Sequence, residues 1–379
     1  MESYKRNLRR HRLRNLGITA GLAAAAVLCV LGIRFSLENR TFQTYEVVRS
    51  FDRSDTVTTQ YTEFLDYAVK YSKDGVSCVD EENRLVWSQT YNLQNPIVEV
   101  CQGSMAVADK DGSEVMIFDR TGLQGQIQTL LPIRQISLSG QGVLAVLLED
   151  GDICRVNLYS KDGTQLVESK FELQETGFPV RISLSADATK LAVSFLQVQD
   201  GAISSCLAFY NFDSVGENYE DHLVASRIIQ GTVVPGVHYL DDTHCVFVGA
   251  GELLFYEGSQ IPEQGTEVAL EREVCSIFYS DNYVGLVLEG EEQEYALQVY
   301  TAQGRLQFET EFDQSYDALK FSGSNILIYN DFDCTILNHS GTIIFTGTFD
   351  ESISNLYTLS GNNRYMVMHG ARTDQIRLK

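Results

Sequence analysis

The sequence predicts an all-β fold: a β-propeller of eight blades, preceded by one N-terminal transmembrane helix. Three observations carry this. Beyond residue 60, short runs of Val, Ile, Leu, Tyr and Phe alternate with polar residues and are parted by Gly, Asp, Asn and Ser, with no 3.6-residue amphipathic period. A strand–turn–strand unit recurs along the chain at intervals of roughly 40 to 50 residues, the length of a four-stranded blade. Near the N-terminus, the 18 residues from Leu16 to Ile33 carry no charge.

The N-terminal elements come first. Residues 1–15 form a basic tail, with Lys5, Arg6, Arg9, Arg10, Arg12 and Arg14 against Glu2. The apolar stretch 16–33 reads LGITAGLAAAAVLCVLGI. As a helix it spans about 27 Å, close to the roughly 30 Å of bilayer hydrocarbon. It is apolar all round, so it has no polar side to turn to water, which argues against a buried soluble helix. Basic residues on its N-terminal flank keep the N-terminus in the cytoplasm and the rest outside. The stretch ends Val30-Leu31-Gly32-Ile33-Arg34-Phe35, without a small-x-small cleavage site, and Leu28 precedes Cys29 where a lipoprotein needs a small residue. An uncleaved signal anchor is therefore expected, single-pass in a bacterial cytoplasmic membrane with an extracytoplasmic C-terminal domain.

Residues 34–60 read as a polar stalk, whose β-like run Tyr45–Phe51 is a candidate closing strand. Residues 61–379 are the propeller. The first 16 residues carry +5 and the remainder −27. Such an acidic surface repels nucleic acid and anionic lipid; it serves solubility or favours cationic partners.

Within the propeller the turns and repeats are specific. Asp74-Gly75, Asp111-Gly112, Asp150-Gly151, Asp162-Gly163 and Asp200-Gly201 are hairpin signals, because Gly tolerates positive φ and Asp does so better than most residues. Ile136-Ser-Leu-Ser139, a turn and Leu144-Ala-Val146 are repeated as Ile182-Ser-Leu-Ser185, a turn and Leu191-Ala-Val193. The pattern returns at Ile277–Ser280, Ala318–Ser322 and Leu356–Ser360. A lone four-stranded unit cannot cover both its faces, whereas radial packing covers them. Blades are expected near 60–95, 96–132, 133–177, 178–232, 233–273, 274–313 and 314–351. The tail 352–379 and Tyr45–Phe51 make an eighth. A seven-bladed ring, with the tail completing the first blade, is the alternative, and a pair of β-sandwiches leaves the regular turn template unexplained.

At these residues the chain resembles known propellers. Ser185-Ala-Asp-Ala-Thr-Lys-Leu-Ala-Val193 looks like the first hairpin of a WD40-like blade, and Val76-Ser-Cys-Val-Asp with Asn83-Arg-Leu-Val-Trp87 looks like a quinoprotein-type blade. Thr121–Thr129 leading into Ile136-Ser-Leu-Ser is similar to an uncharacterised family of clostridial Firmicutes, domain of unknown function 5711. That family has a basic tail, one anchor and a propeller-like ectodomain. The resemblance implies fold and location and no activity. Quinoprotein dehydrogenases rely on a Trp beneath the cofactor and an adjacent-cysteine disulfide. Here the one Trp, Trp87, falls in an outer blade strand and no Cys-Cys pair occurs, so no quinone site, and no cofactor, is carried over.

Candidate sites are few. Seven cysteines follow Cys29 (Cys78, Cys101, Cys154, Cys206, Cys245, Cys275 and Cys334), without C-x-x-C spacing and mostly inside apolar runs. They read as buried free thiols, with one or more disulfides as the alternative. His238-Tyr-Leu-Asp-Asp-Thr-His244 is the one His-dense stretch. A turn at Leu240–Thr243 would bring His238 and His244 face to face, and with Asp241 or Asp242 they are the only metal candidates, against the plainer reading of a turn with two surface histidines. Asp109-Lys-Asp-Gly-Ser-Glu114 has the start of a calcium loop but lacks its remaining acidic positions, and reads as a hairpin turn. Glu289-Gly-Glu-Glu-Gln-Glu294 reads as a solvated loop or a dock for a basic partner. No G-x-S-x-G, Walker A or H-E-x-x-H occurs.

No catalytic residue is therefore assigned. The expectation is a non-catalytic binding or scaffold module for a protein or cell-envelope ligand. The alternatives are an envelope glycan- or peptide-acting hydrolase with acidic residues meeting at the channel, and an anchored sensor.

Overall fold

The computed structural model describes residues 40–52, 58–151, 153–171, 176–199, 201–361 and 363–379. The basic tail, the apolar stretch 16–33, the start of the stalk and Asp200 of the Asp200-Gly201 turn lie outside the described residues.

Among the described residues, thirty-two strands form eight four-stranded antiparallel sheets, each in the order a-b-c-d. The a strands are Gln60–Phe64, Pro96–Cys101, Ile133–Leu138, Phe178–Leu184, Gly236–Tyr239, Val274–Ser280, Ala318–Ser322 and Asn355–Thr358, numbered here as blades 1 to 8. Several b and c strands are apolar without alternation, although strand c of the last blade, Arg372–Leu378, is mostly polar. Ser104–Asp109 and Glu114–Asp119 in blade 2 are buried along almost their whole length, because each blade is covered on both faces by its neighbours. The d strands alternate: in Leu85–Thr90 and Gln165–Phe171 exposed residues interleave with half-buried ones, as befits an outer edge.

Eight buried apolar clusters hold the ring, and each spans one junction between adjacent blades. Phe64, Met105 and Phe118 join blades 1 and 2. Phe171, Phe195 and Tyr210 join blades 3 and 4. Tyr357, Met368 and Val79 join blade 8 back to blade 1. The core is thus a circle of inter-blade layers.

The ring has eight blades because the tail supplies three strands of its own. Asn355–Thr358, Arg364–Met368 and Arg372–Leu378 are strands a, b and c of the last blade, and Tyr45–Asp52 is its d strand. Tyr45 pairs with Leu378 and Asp52 with Arg372. The first and last residues of the ring are stitched together: Lys379 N–H donates to the Thr44 carbonyl at 2.8 Å and Gln43 N–H to the Lys379 carbonyl at 3.1 Å. Phe42 is buried in the junction of blades 7 and 8, and its N–H donates to the Ile344 carbonyl at 2.7 Å.

Candidate functional site: the channel and its mouth

The a strands line the channel, and their free edges face it. Part of that edge is satisfied across the blades. Ser137 Oγ accepts Leu184 N–H at 2.9 Å, and Ser183 Oγ accepts Tyr239 N–H at 2.8 Å. Ser322 Oγ accepts Thr358 N–H at 2.8 Å, and Glu99 Oε1 accepts Leu138 N–H at 3.3 Å. This explains the repeated Ile-Ser-Leu-Ser. Its first serine ties one blade to the next; its second holds the a–b turn, with Ser139 Oγ accepting Val143 N–H at 2.9 Å and Ser185 Oγ accepting Lys190 N–H at 3.0 Å.

Charged groups sit on the same strands. Across blades 1, 7 and 8, Lys320 Nζ lies 2.8 Å from Glu63 Oε1 and donates to Asn355 Oδ1 at 3.0 Å, while Ser322 Oγ donates to Glu63 Oε2 at 2.8 Å. A space of about 560 Å³ lies beside this group. On the other side stand Glu99 on blade 2, Arg181 on blade 4, and His238 on blade 5, which stacks on Tyr279 of blade 6 at 4.4 Å.

The a–b turns of blades 2 to 6 gather around a cavity of about 180 Å³ at one mouth of the channel. Glu99, Cys101, His238, Asp241, Asp242 and Asp281 line it, and its lining contains no Lys or Arg. The electrostatics follow from crowding of like charge in a sheltered place. Burial pushes Glu99 up to about 7, against the pull of Leu138 N–H, Arg181 and Ser137. Burial, then the charge of Asp241, raises Asp281. The Cys101 thiol is pushed up to about 12 by burial and then by Asp281, Glu99 and Asp242. Burial and Arg181 hold His238 down at about 4, so its imidazole is neutral.

Of the three metal candidates, Asp241 and His244 come together and His238 packs elsewhere. The turn at Leu240–Thr243 forms as expected, with Asp241 Oδ1 accepting Thr243 N–H at 2.6 Å and His244 N–H at 2.7 Å. Asp241 Oδ2 also meets His244 Nδ1 at 2.7 Å. The expected facing of His238 and His244 is corrected: His238 turns to Tyr279, whereas His244 Nε2 lies near Gln303 of blade 6 at 3.3 Å. The two residues share the face turned to blade 6, but the register sets Val246 opposite His238 and Leu240 opposite His244, so each meets a different partner along that face. Among the described residues no group of three or more His, Cys, Asp and Glu side chains is arranged around a common point.

The other singled-out residues are placed as follows. All seven cysteines after Cys29 are free; Cys78, Cys154, Cys245 and Cys334 are buried and Cys275 is exposed. Asp109 ties its hairpin to the linker before strand a of the same blade, Oδ1 accepting Gln94 N–H at 2.9 Å and Asn95 N–H at 2.7 Å. The acidic loop at 289–294 turns its amides to Glu311, whose carboxylate accepts Glu291 N–H at 2.9 Å and Glu292 N–H at 3.1 Å. Trp87 lies in the d strand of blade 1 and stacks on Phe118 at 5.1 Å. Sequence reasoning missed Glu99 and Arg181. Their signal was a lone charge inside an apolar strand, in Ile97-Val-Glu-Val100 and Val180-Arg-Ile182.

The profile of the family of unknown function DUF5711 matches residues 38–378. The chain belongs to that family. No curated protein matches this DUF5711 chain. Among solved structures it is similar to BamB from Moraxella catarrhalis, at 14% identity and a TM-score of 0.53, over 88% of this chain and all of that one. It is also similar to the Dos1 propeller, at 11% identity and a TM-score of 0.56, over 88% of this chain and 95% of that one. Sqt1 from Saccharomyces cerevisiae gives 12% identity and a TM-score of 0.54, over 90% of this chain and all of that one. At such identities these likenesses establish the β-propeller fold of the DUF5711 chain and nothing of its ligand.

Proposed function

We propose that this chain is a membrane-anchored, extracytoplasmic binding module that receives a cationic group of a protein or envelope ligand at the a–b mouth of its channel. The observation that carries the reading is the convergence of Glu99, Asp241, Asp242 and Asp281, from blades 2, 5 and 6, on one cavity without a Lys or Arg in its lining. Carboxylates sheltered together attract a cation more strongly than the same charges spread over a surface.

The path of the chain supports the placement. Tyr45 is paired with Leu378 at the end of strand c, so the chain enters the ring on the face that carries the c–d and a–b turns. Six residues separate Ile33 from Arg40. At about 3.5 Å per residue they reach roughly 25 Å when extended. An anchor at 16–33 would hold the mouth toward the bilayer, within reach of ligands at or in the membrane.

The test is titration of the full chain in detergent micelles with oligolysine at several salt concentrations. Replacing Asp241, Asp242 and Asp281 together by Asn should weaken binding and flatten its salt dependence. Replacing Glu291, Glu292 and Glu294 by Gln should do neither. Equal loss from both triple variants would refute a site at the mouth.

One observation favours a second reading, a hydrolase. Glu99 is pushed up to about 7 by burial, while at Asp241 burial is outweighed by the hydrogen bonds from Thr243 and His244, which hold it below the usual carboxylate range, the kind of separation that lets one carboxyl donate a proton and another not. Shortened glycan or peptide products formed by the wild type and abolished by Glu99→Gln would decide for it.

A further inference from the structure

The junction between blades 2 and 3 holds a cavity of about 370 Å³ on the outer side of the ring, away from the channel. Ile127, Leu131 and Leu148 give it apolar walls; Arg155, Asn157 and Tyr159 give it a polar side. These last three alternate along strand c of blade 3, Ile153–Tyr159, and so share the face turned to blade 2. The end near the c–d turn is sealed by backbone. Gly125 passes so close to Lys161 that a Cβ there would lie 2.4 Å from its carbonyl oxygen, and a Cβ on Gly163 would lie 2.8 Å from that of Gln126.

The polar side is incomplete. Asn157 is 6% exposed, and its Nδ2 donates to the Tyr159 hydroxyl at 3.1 Å, but its Oδ1 has no partner. Arg155 pairs with Glu168 through its terminal nitrogen, and its Nε also has no partner. An unpaired buried donor or acceptor costs about 1–3 kcal/mol, so two on one cavity wall require a cause.

Blade 6 provides the internal comparison, because its register is the same. Ile133 pairs with Leu148 and Val146 with Asn157; Val274 pairs with Leu288 and Leu286 with Gln298. Asn157, Tyr159 and Glu168 therefore correspond to Gln298, Tyr300 and Glu309. In blade 6 the network is closed: Gln298 donates to Glu309 at 3.0 Å and accepts from the Tyr300 hydroxyl at 2.8 Å, and Arg272 from the preceding linker pairs with Glu309. In blade 3 the amide is one methylene shorter, and Leu131 stands where Arg272 stands. The neighbouring linker residue Leu130 is 99% exposed at the cavity's edge.

We propose that this inter-blade cavity is a binding site for an acylamino group, R–CO–NH–. Its N–H donates to Asn157 Oδ1, its carbonyl accepts from Arg155 Nε–H, and its acyl carbon chain lies against Ile127, Leu131 and Leu148. An amide carries a donor and an acceptor side by side, which is the pair the wall lacks. Acetamido sugars and acylated peptides share this chemistry.

The experiment is a ligand-observed NMR titration of the full chain in detergent micelles, with N-acetylglucosamine in one arm and N-acetyl-leucine methylamide in the other. At least one probe is expected to bind, and which one identifies the source. Asn157→Gln supplies the missing methylene and reproduces the closed network of blade 6. Asn157→Leu keeps the shape and removes the amide. Each should weaken binding roughly tenfold or more without lowering the melting temperature. Absence of binding by both probes, or unchanged binding in both variants, overturns the proposal.

Discussion

Ser183 on the inner strand of blade 4 accepts the amide hydrogen of Tyr239 on the inner strand of blade 5 at 2.8 Å. Ser137, one blade earlier, does the same for Leu184 at 2.9 Å. The inner strands are edges that no further strand covers, and these serines satisfy amides that would otherwise be buried unpaired. Ser183→Ala is expected to destabilise the ring by about 1–2 kcal/mol, the cost of orphaning a buried N–H. Chemical denaturation checks this: the midpoint falls and the m-value does not change.

The two shifted groups of the channel act on stability in opposite senses. Glu99 has a folded pKa raised from 4.5 to about 7, so the native state holds its proton more tightly than the unfolded chain. Its contribution is full below about pH 4.5 and is lost as pH rises through about 7. The loss is at most about 3 kcal/mol, at about 1.36 kcal/mol per pKa unit. His238 is depressed from 6.5 to about 4. Its contribution is full above about pH 6.5 and is lost as pH falls through about 4. In thermal unfolding across pH 4 to 8, Glu99→Gln should remove the decline on the neutral side. His238→Phe should soften the decline on the acid side. Parallel curves for wild type and both variants would contradict these environments.

Much of this was legible in the sequence. The turn-and-strand repeat gives eight blades because Ile136-Ser-Leu-Ser139 and its counterparts place one serine between blades and another in the turn. Both roles are local, so they leave a local signature. Tyr45–Phe51 was readable as a closing strand because its β pattern stands apart from the polar stalk around it. The channel mouth was not readable. Glu99, Asp242 and Asp281 come from three blades, and no spacing in the chain links them. His238 and His244 look paired along the chain, but the register sets Val246, not His244, opposite His238. The cavity between blades 2 and 3 turns on one methylene, the difference between Asn157 and Gln298, which no pattern of polarity records.

Closure of the ring depends on the segment just before strand Tyr45–Asp52. Phe42 is 7% exposed and packs in the junction of blades 7 and 8. Phe42→Ala should cost about 3 kcal/mol. Limited proteolysis should then cut first near the N-terminal strand, because blade 8 loses its staple before the other blades open.

Cys275 is the one exposed cysteine among the described residues. If the propeller is extracytoplasmic, a membrane-impermeant maleimide added to intact cells labels the chain at Cys275. The label disappears in Cys275→Ser. Labelling only after the cells are broken would place the ring in the cytoplasm.

The central claim is that the acidic mouth of the channel is where this propeller takes its ligand. Its most direct test is capture from solubilised cell envelope on the immobilised full chain, with proteins and glycans analysed separately, beside the variant carrying Asn at 241, 242 and 281. The account predicts a ligand that elutes with salt from the wild type and is not retained by the variant. Equal retention by both chains would contradict it.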